Sequence, residues 1–169
     1  MKRQEGQLSK RFMQIKSYMR TLTLIHSSLT MGLLAFTLFV YFQNPSFTVG
    51  ADSKDPYVYI VPTIAVLGYF LSKFLFQKQL QSIHPKDTLT TKLTRYQIAL
   101  LLQYALLEGP ALFALVIYYT NGNVLYLVID LSLLAYMIAL RPKMDRLIKA
   151  LPLMQAEEQQ LKQSEYYKK

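Results

Sequence analysis

Residues 21–51 contain no Lys, Arg, Asp or Glu. Three further apolar runs follow this uncharged stretch along the chain. The core helices of a soluble bundle require less uncharged length, whereas a helix that crosses the ~30 Å hydrocarbon layer of a membrane needs about 20 apolar residues. The sequence therefore predicts an all-α integral membrane protein.

Four segments have the length and composition of membrane-spanning helices: residues 22–42, 57–77, 96–120 and 124–140. They predict a four-helix bundle in the membrane over residues 22–140, because each segment is long enough to cross the hydrocarbon layer or nearly so. A basic segment, residues 1–21, precedes the bundle, and residues 141–169 follow it. We predict no cleavable signal peptide, because the first apolar run starts late and has no small-residue cleavage site.

The basic residues predict how the bundle is oriented. All Lys and Arg residues except Lys54 and Lys73 fall in the amino-terminal segment, the second loop and the carboxyl-terminal region. These three segments face the same side of a four-span protein, so the positive-inside rule places both termini in the cytoplasm. The net charge of +9 is explained by this topology. Nucleic acid is not a predicted partner, because no motif that reads bases accompanies the basic residues.

Both flanks of the bundle carry the apolar spacing of amphipathic helices. The amino-terminal apolar positions are Leu8, Phe12, Ile15 and Met19, and the carboxyl-terminal ones are Met144, Leu147, Ile148 and Leu151. The first set predicts either an amphipathic helix or a cytoplasmic extension of the first span, lying against anionic lipid headgroups or a partner, or simply solvated. After Pro152 the chain is polar apart from Leu161, and we expect a frayed helix or a disordered tail.

Two carboxylates, Glu108 and Asp130, lie within the third and fourth predicted spans. Counted from Arg95 and Arg141, both are expected near the midplane of the membrane, at depths that differ by about 3 Å. An ionised carboxylate at that depth costs about 2.5 to 3.5 kcal/mol on an insertion scale. We therefore expect both groups to face the bundle interior or water, or to share a proton if their faces meet.

Three more polar residues belong to this set of intramembrane candidates: Lys73, His26 and Gln103. Lys73 can extend to the cytoplasmic surface or turn inward towards Glu108. His26 suits a hydrogen-bonded packing position and, alternatively, a proton relay. Together with Gln103, these residues predict a polar layer in the cytoplasmic half of the bundle.

The motif Leu-Leu-Glu-Gly-Pro-Ala-Leu-Phe, residues 106–113, places Gly109 and Pro110 directly after Glu108. Pro110 predicts a helix kink and leaves the carbonyl of Leu106 without its helical donor, so a protonated Glu108 has an acceptor nearby. Gly109 and Ala105 form a small-residue pair that lets another helix come close. The motif fits three roles: a structural kink, proton or cation handling, and recognition of a partner's span.

The motif, followed by Gly122-Asn123 and by Arg141-Pro142, resembles a group of small uncharacterised bacterial inner-membrane proteins with four spans. The resemblance covers residues 96–151 and implies a helical hairpin and an inner-membrane location, but no known activity. The same motif is locally similar to the carboxylate helix of rotary ATP synthase proteolipids. Those proteins are glycine-rich hairpins, whereas only Gly32, Gly68 and Gly109 lie within the predicted spans here.

No catalytic, metal or cofactor site is predicted. The chain has no cysteine, and no paired-histidine spacing, nucleophile elbow or phosphate-binding glycine loop is present. An enzyme is therefore not the expected function. The leading hypothesis is an accessory, assembly or scaffolding component of a membrane complex, and the alternative is proton- or cation-coupled transport by a homo-oligomer that uses Glu108.

Overall fold

The computed structural model describes residues 2–44, 48–49 and 55–166, with side chains over 13–44, 48–49 and 55–164. The fold is all-α, as the sequence predicts: the chain is 85% helical, and the described residues form no strand. The helices are α1 (Lys2–Gln43), α2 (Tyr57–Gln81), α3 (Leu89–Asn121), α4 (Val124–Ala139), α5 (Met144–Ala150) and α6 (Gln155–Tyr166).

Three stretches of helix are long and apolar enough to cross a membrane: Met13–Gln43, Tyr57–Gln81 and Leu89–Asn121. They indicate a membrane protein. The fourth predicted span corresponds to α4, which has 16 residues and is about 24 Å long. It passes the same test only together with α5, from which it is bent by 83°. Length and composition thus give three candidate spans, or four if the bent pair counts as one.

Helix α1 has no break between its amino-terminal part and its apolar part. The amino-terminal segment is therefore an extension of the first long helix. Ile15 is buried and Met19 is partly buried, whereas the side chains of Leu8 and Phe12 lie outside the described residues. The Tyr18 hydroxyl donates to the Leu93 carbonyl oxygen at 2.6 Å, so this extension packs against the start of α3.

Helices α3 and α4 form an antiparallel hairpin, and its tight turn marks what we call the distal end of the bundle. Gly122 adopts a left-handed conformation there with φ 66°, and its amide donates to the Tyr118 carbonyl oxygen at 2.8 Å. Asn44, after α1, donates to the same oxygen at 3.0 Å. Helices α1 and α2 each pack against both hairpin helices and scarcely contact each other.

Helix α3 extends well beyond α4 at the opposite, proximal end of the bundle. The Tyr104 hydroxyl donates to the carbonyl oxygen of Leu140, where α4 stops, at 3.2 Å. About fifteen residues of α3, from Leu89 to the level of Tyr104, therefore lie past the end of α4. They pack with the extension of α1, and residues of these two segments and of α6 line a cavity of 590 Å³.

The carboxyl-terminal region is more ordered than the sequence predicts. Residues 155–166 form α6, which packs against α1 and fully buries Leu161. In its first turn, Glu157 accepts from Lys92 Nζ at 2.7 Å and from the Met154 amide at 2.8 Å. The buried ion pair and the single apolar anchor hold a helix whose polar composition suggested a frayed or disordered tail.

Candidate functional site

A stripe of polar residues runs along the face of α1 that packs against the hairpin. Its buried members are His26, Thr30, Thr37 and Asn44. The last three follow each other at seven-residue spacing, which keeps them on one face of a helix. Among these residues only His26 is a sequence-predicted candidate, although the regular spacing of polar residues in an apolar segment is a readable signal.

Asp130 lies inside the bundle and is fully buried. Its Oδ2 atom is 2.9 Å from the hydroxyl of Thr37, and its Oδ1 atom has no partner among the described residues. The same hydroxyl lies 2.9 Å from the Leu33 carbonyl oxygen, so one proton faces two acceptors. If the Asp130 carboxyl is protonated, it can donate to the Thr37 hydroxyl while that hydroxyl donates to the Leu33 carbonyl oxygen. Both contacts are then hydrogen bonds, so the arrangement suits a neutral acid.

The two carboxylates do not share a depth, contrary to the sequence-based estimate. Glu108 lies about 20 Å of helix from the distal end of α3, whereas Asp130 lies only about 9 Å from the distal end of α4. The estimate is wrong because Arg95 belongs to the part of α3 that extends beyond α4. Residues counted from Arg95 on α3 and from Arg141 after α4 therefore start at different levels of the bundle, so the two depths cannot be compared in this way.

Glu108 is partly buried and makes no hydrogen bond or ion pair within the described part of the chain. It follows Tyr104 by one helical turn, on the side of α3 where the Tyr104 ring contacts His26 of α1. The expected donation to the Leu106 carbonyl is not found, nor is a shared proton with Asp130. Glu108 is thus a carboxylate in an apolar segment without a partner among the described side chains.

The close helix approach occurs at Gly68, which the sequence analysis did not single out. A Cβ atom at Gly68 would lie 2.6 Å from Pro110 Cγ and 2.8 Å from the Leu106 carbonyl oxygen. The carbonyl that Pro110 deprives of its donor is therefore packed against the Gly68 backbone of α2. At Gly109, in contrast, a Cβ atom would meet nothing within 4 Å, so none of the described helices packs closely on the predicted small-residue pair.

Lys73 does not pair with Glu108. Its Nζ atom donates to the Tyr69 hydroxyl at 2.5 Å and lies 4.4 Å from the Tyr69 ring centre and 5.7 Å from that of Tyr136. The side chain turns towards these aromatic residues of α2 and α4 and stays exposed. Lys73 is thus held by a cation–π and hydrogen-bond contact.

His26 packs beside Tyr104, the residue that follows Gln103 on α3. His26 and Gln103 are both buried, and the ring centres of His26 and Tyr104 are 5.1 Å apart. His26 Nδ1 has no partner among the side chains described, and Gln103 has no hydrogen bond to them. These residues lie near the end of α4, with Lys73 on the exposed side.

An apolar layer separates Asp130 from the His26 level. Leu33 of α1, Leu107 of α3 and Met137 of α4 are almost completely buried and lie between the two levels along their helices. This layer therefore separates Asp130 and Thr37 from His26 and Gln103. A continuous polar path through the interior of one chain is interrupted at this layer.

No group of three His, Asp or Glu side chains within the described ranges is placed to hold a metal ion. The sequence matches no protein-family model, and comparisons with curated proteins and with solved structures give no match.

Proposed function

We propose that the protein is a four-span component of the bacterial inner membrane with both termini in the cytoplasm, and that it acts as an accessory, assembly or scaffolding subunit of a membrane complex. The long apolar helices support the membrane placement. The positive-inside rule supports the orientation, because the proximal end bears the second loop and the carboxyl-terminal basic residues. In this orientation the proximal end faces the cytoplasm.

The observation that carries this proposal is the unpartnered carboxylate of Glu108. About 20 Å from the distal end of α3, the group lies within a ~30 Å hydrocarbon layer. A carboxylate inside that layer is costly unless another group binds it. Because this chain supplies no such group among its described residues, a polar residue on another membrane helix is the natural partner.

The face of α3 beside Glu108 fits such a helix. Ala105, Gly109, Leu112 and Val116 form this exposed face, which we call the α3 outer face. The space above Gly109 is open, so a helix can approach the backbone closely there. We propose that the occupant is a membrane-spanning helix of another subunit, with a polar group placed to bind Glu108.

Affinity purification in mild detergent, with mass spectrometry of the bound subunits, tests this function. We expect one partner at fixed stoichiometry with the native chain, and at least a tenfold loss of it in Gly109→Leu, because a large side chain blocks close approach. Glu108→Gln should weaken retention. Gly32→Leu is the matched control, since Gly32 also lies in open space on a long apolar helix, and it should retain the partner. A partner retained equally by all variants contradicts the proposal.

Proton- or cation-coupled transport by a homo-oligomer is the second candidate, and the buried Asp130 favours it. A buried carboxyl with an unpartnered oxygen is typical of sites that exchange protons. The apolar layer at Leu33, Leu107 and Met137 disfavours a path through one copy, so a path would run between copies, past Glu108.

Proteoliposomes that contain the purified protein and a pH-sensitive dye test transport. If transport occurs, Glu108→Gln should reduce proton flux at least tenfold, and Asp130→Asn should reduce it as well. Folding of each variant is checked by size-exclusion chromatography. Flux that neither substitution changes removes this candidate, whereas flux by the native protein alone weakens the scaffolding proposal.

A further inference from the structure

Four basic residues follow the end of α4 within a short segment: Arg141, Lys143, Arg146 and Lys149. All four are exposed, and none forms an ion pair with an acid in the described part of the chain. Asp145 is the one acid among them in sequence. The segment therefore keeps an excess of unpaired positive charge.

Three of these residues lie along one face of the segment. Lys143, Arg146 and Lys149 recur at three-residue spacing and line one hollow of 420 Å³ together with Asp145 and Ala150. The opposite face of α5 packs inward, because Leu147 is buried and Met144 and Ile148 are partly buried. The fold thus fixes the orientation of α5 and directs the three basic side chains to a common surface hollow.

The hollow lies at the level where α4 ends. Arg146 is close enough to Tyr104 and Tyr136 to interact with them electrostatically, and the Tyr104 hydroxyl contacts the last turn of α4. Because α5 is bent by 83° from α4, it runs nearly parallel to the surface of a membrane that α4 crosses. In the proposed membrane placement, α5 therefore lies at the headgroup level.

We propose that the hollow formed by Lys143, Arg146 and Lys149 binds the phosphate of an anionic phospholipid in the cytoplasmic leaflet. The guanidinium of Arg146 can donate two hydrogen bonds to phosphate oxygens, and the two ammonium groups add point charges. The positive-inside rule explains why basic residues lie on this side, but it does not require three of them to line one hollow. The inference rests on the proposed membrane placement and is independent of the partner-binding role.

Lipid titration of the full chain in detergent tests the site. We expect phosphatidylglycerol to bind and to raise the unfolding temperature, with phosphatidylcholine and an equal concentration of inorganic phosphate giving no shift. Each of Lys143→Gln and Lys149→Gln should weaken phosphatidylglycerol binding about fivefold, and Arg146→Gln at least as much. Higher salt should weaken binding in the native protein, because the contacts are exposed and ionic.

The matched variants are Lys78→Gln and Lys86→Gln, which remove the same charge from exposed positions outside the hollow. They should bind phosphatidylglycerol as the native chain does. Equal losses in these variants and in the hollow variants would overturn the proposal, because they indicate a general charge effect. A shift by inorganic phosphate as large as that by lipid would also overturn it. The hollow variants should still retain the partner subunit in the affinity purification. A failure of the lipid site can therefore be told apart from a failure of the proposed function.

Discussion

Replacing Lys92 with alanine is expected to destabilise the protein by about 3–5 kcal/mol, the usual cost of removing one partner from a buried ion pair. Lys92 is fully buried and donates to Glu157 at 2.7 Å and to the Pro85 carbonyl oxygen at 2.8 Å. Its loss leaves a largely buried carboxylate with only the Met154 amide as donor. Thermal unfolding in detergent measures the stability, and hydrogen exchange over residues 155–166 reports whether α6 detaches.

Lys162→Ala provides the comparison, since Lys162 pairs with Glu158 on the surface of the same helix. The hydrogen bond to Glu158 raises the pKa of Lys162, but the two side chains are 60% and 40% exposed, so their loss should change stability very little. The double variant Lys92→Met with Glu157→Leu should recover most of the stability, because it leaves no unpaired buried charge. A Lys92→Ala variant as stable as Lys162→Ala would contradict the role of the buried pair.

Gly68→Ala is expected to destabilise the packing of α2 on α3 by about 1–3 kcal/mol, as an overpacked interior does. The added Cβ atom would lie 2.8 Å from the Leu106 carbonyl oxygen, a backbone atom that cannot move without shifting α3. It would also meet Pro110 Cγ at 2.6 Å, and the proline ring has little freedom to turn away. Reversible unfolding in mixed detergent micelles gives the free-energy difference from the native chain.

Gly32→Ala and Gly109→Ala are the matched substitutions, because a Cβ atom at either position meets nothing within 4 Å. Both should leave stability unchanged or raise it slightly, since alanine favours the helix more than glycine does. If Gly68→Ala behaves as these two do, then α2 and α3 do not approach each other as closely as their backbones indicate.

The all-α fold and the positions of the long helices are predictable because apolar length and charge distribution act locally. The depth of a residue is harder to predict, because it depends on where a helix leaves the membrane. Arg95 does not mark the membrane boundary of α3, because it lies in the part of α3 that extends beyond the end of α4. The position of α6 depends on tertiary contacts, namely the burial of Leu161 and the ion pair of Lys92 with Glu157, between residues far apart in the sequence.

The candidate polar residues are predictable by type, since an ionisable group in an apolar run is conspicuous. Their partners are not, because partnership depends on the rotation of each helix about its axis. Asp130 meets Thr37, and Lys73 meets Tyr69 rather than Glu108. Gly68 became identifiable only once the register of α2 against α3 was known. Contact pairs of this kind require the tertiary structure.

The polar stripe on α1 has a consequence for how the protein is made. Thr37 finds its partner Asp130 93 positions later in the chain, and Asn44 reaches Tyr118 74 positions later. Helix α1 is synthesised first. Its Thr37 hydroxyl can donate at once to the Leu33 carbonyl oxygen of the same helix, whereas the Asn44 amide meets the Tyr118 carbonyl oxygen only after the hairpin has been made. Docking of α1 against the hairpin is therefore expected to be a late step of assembly.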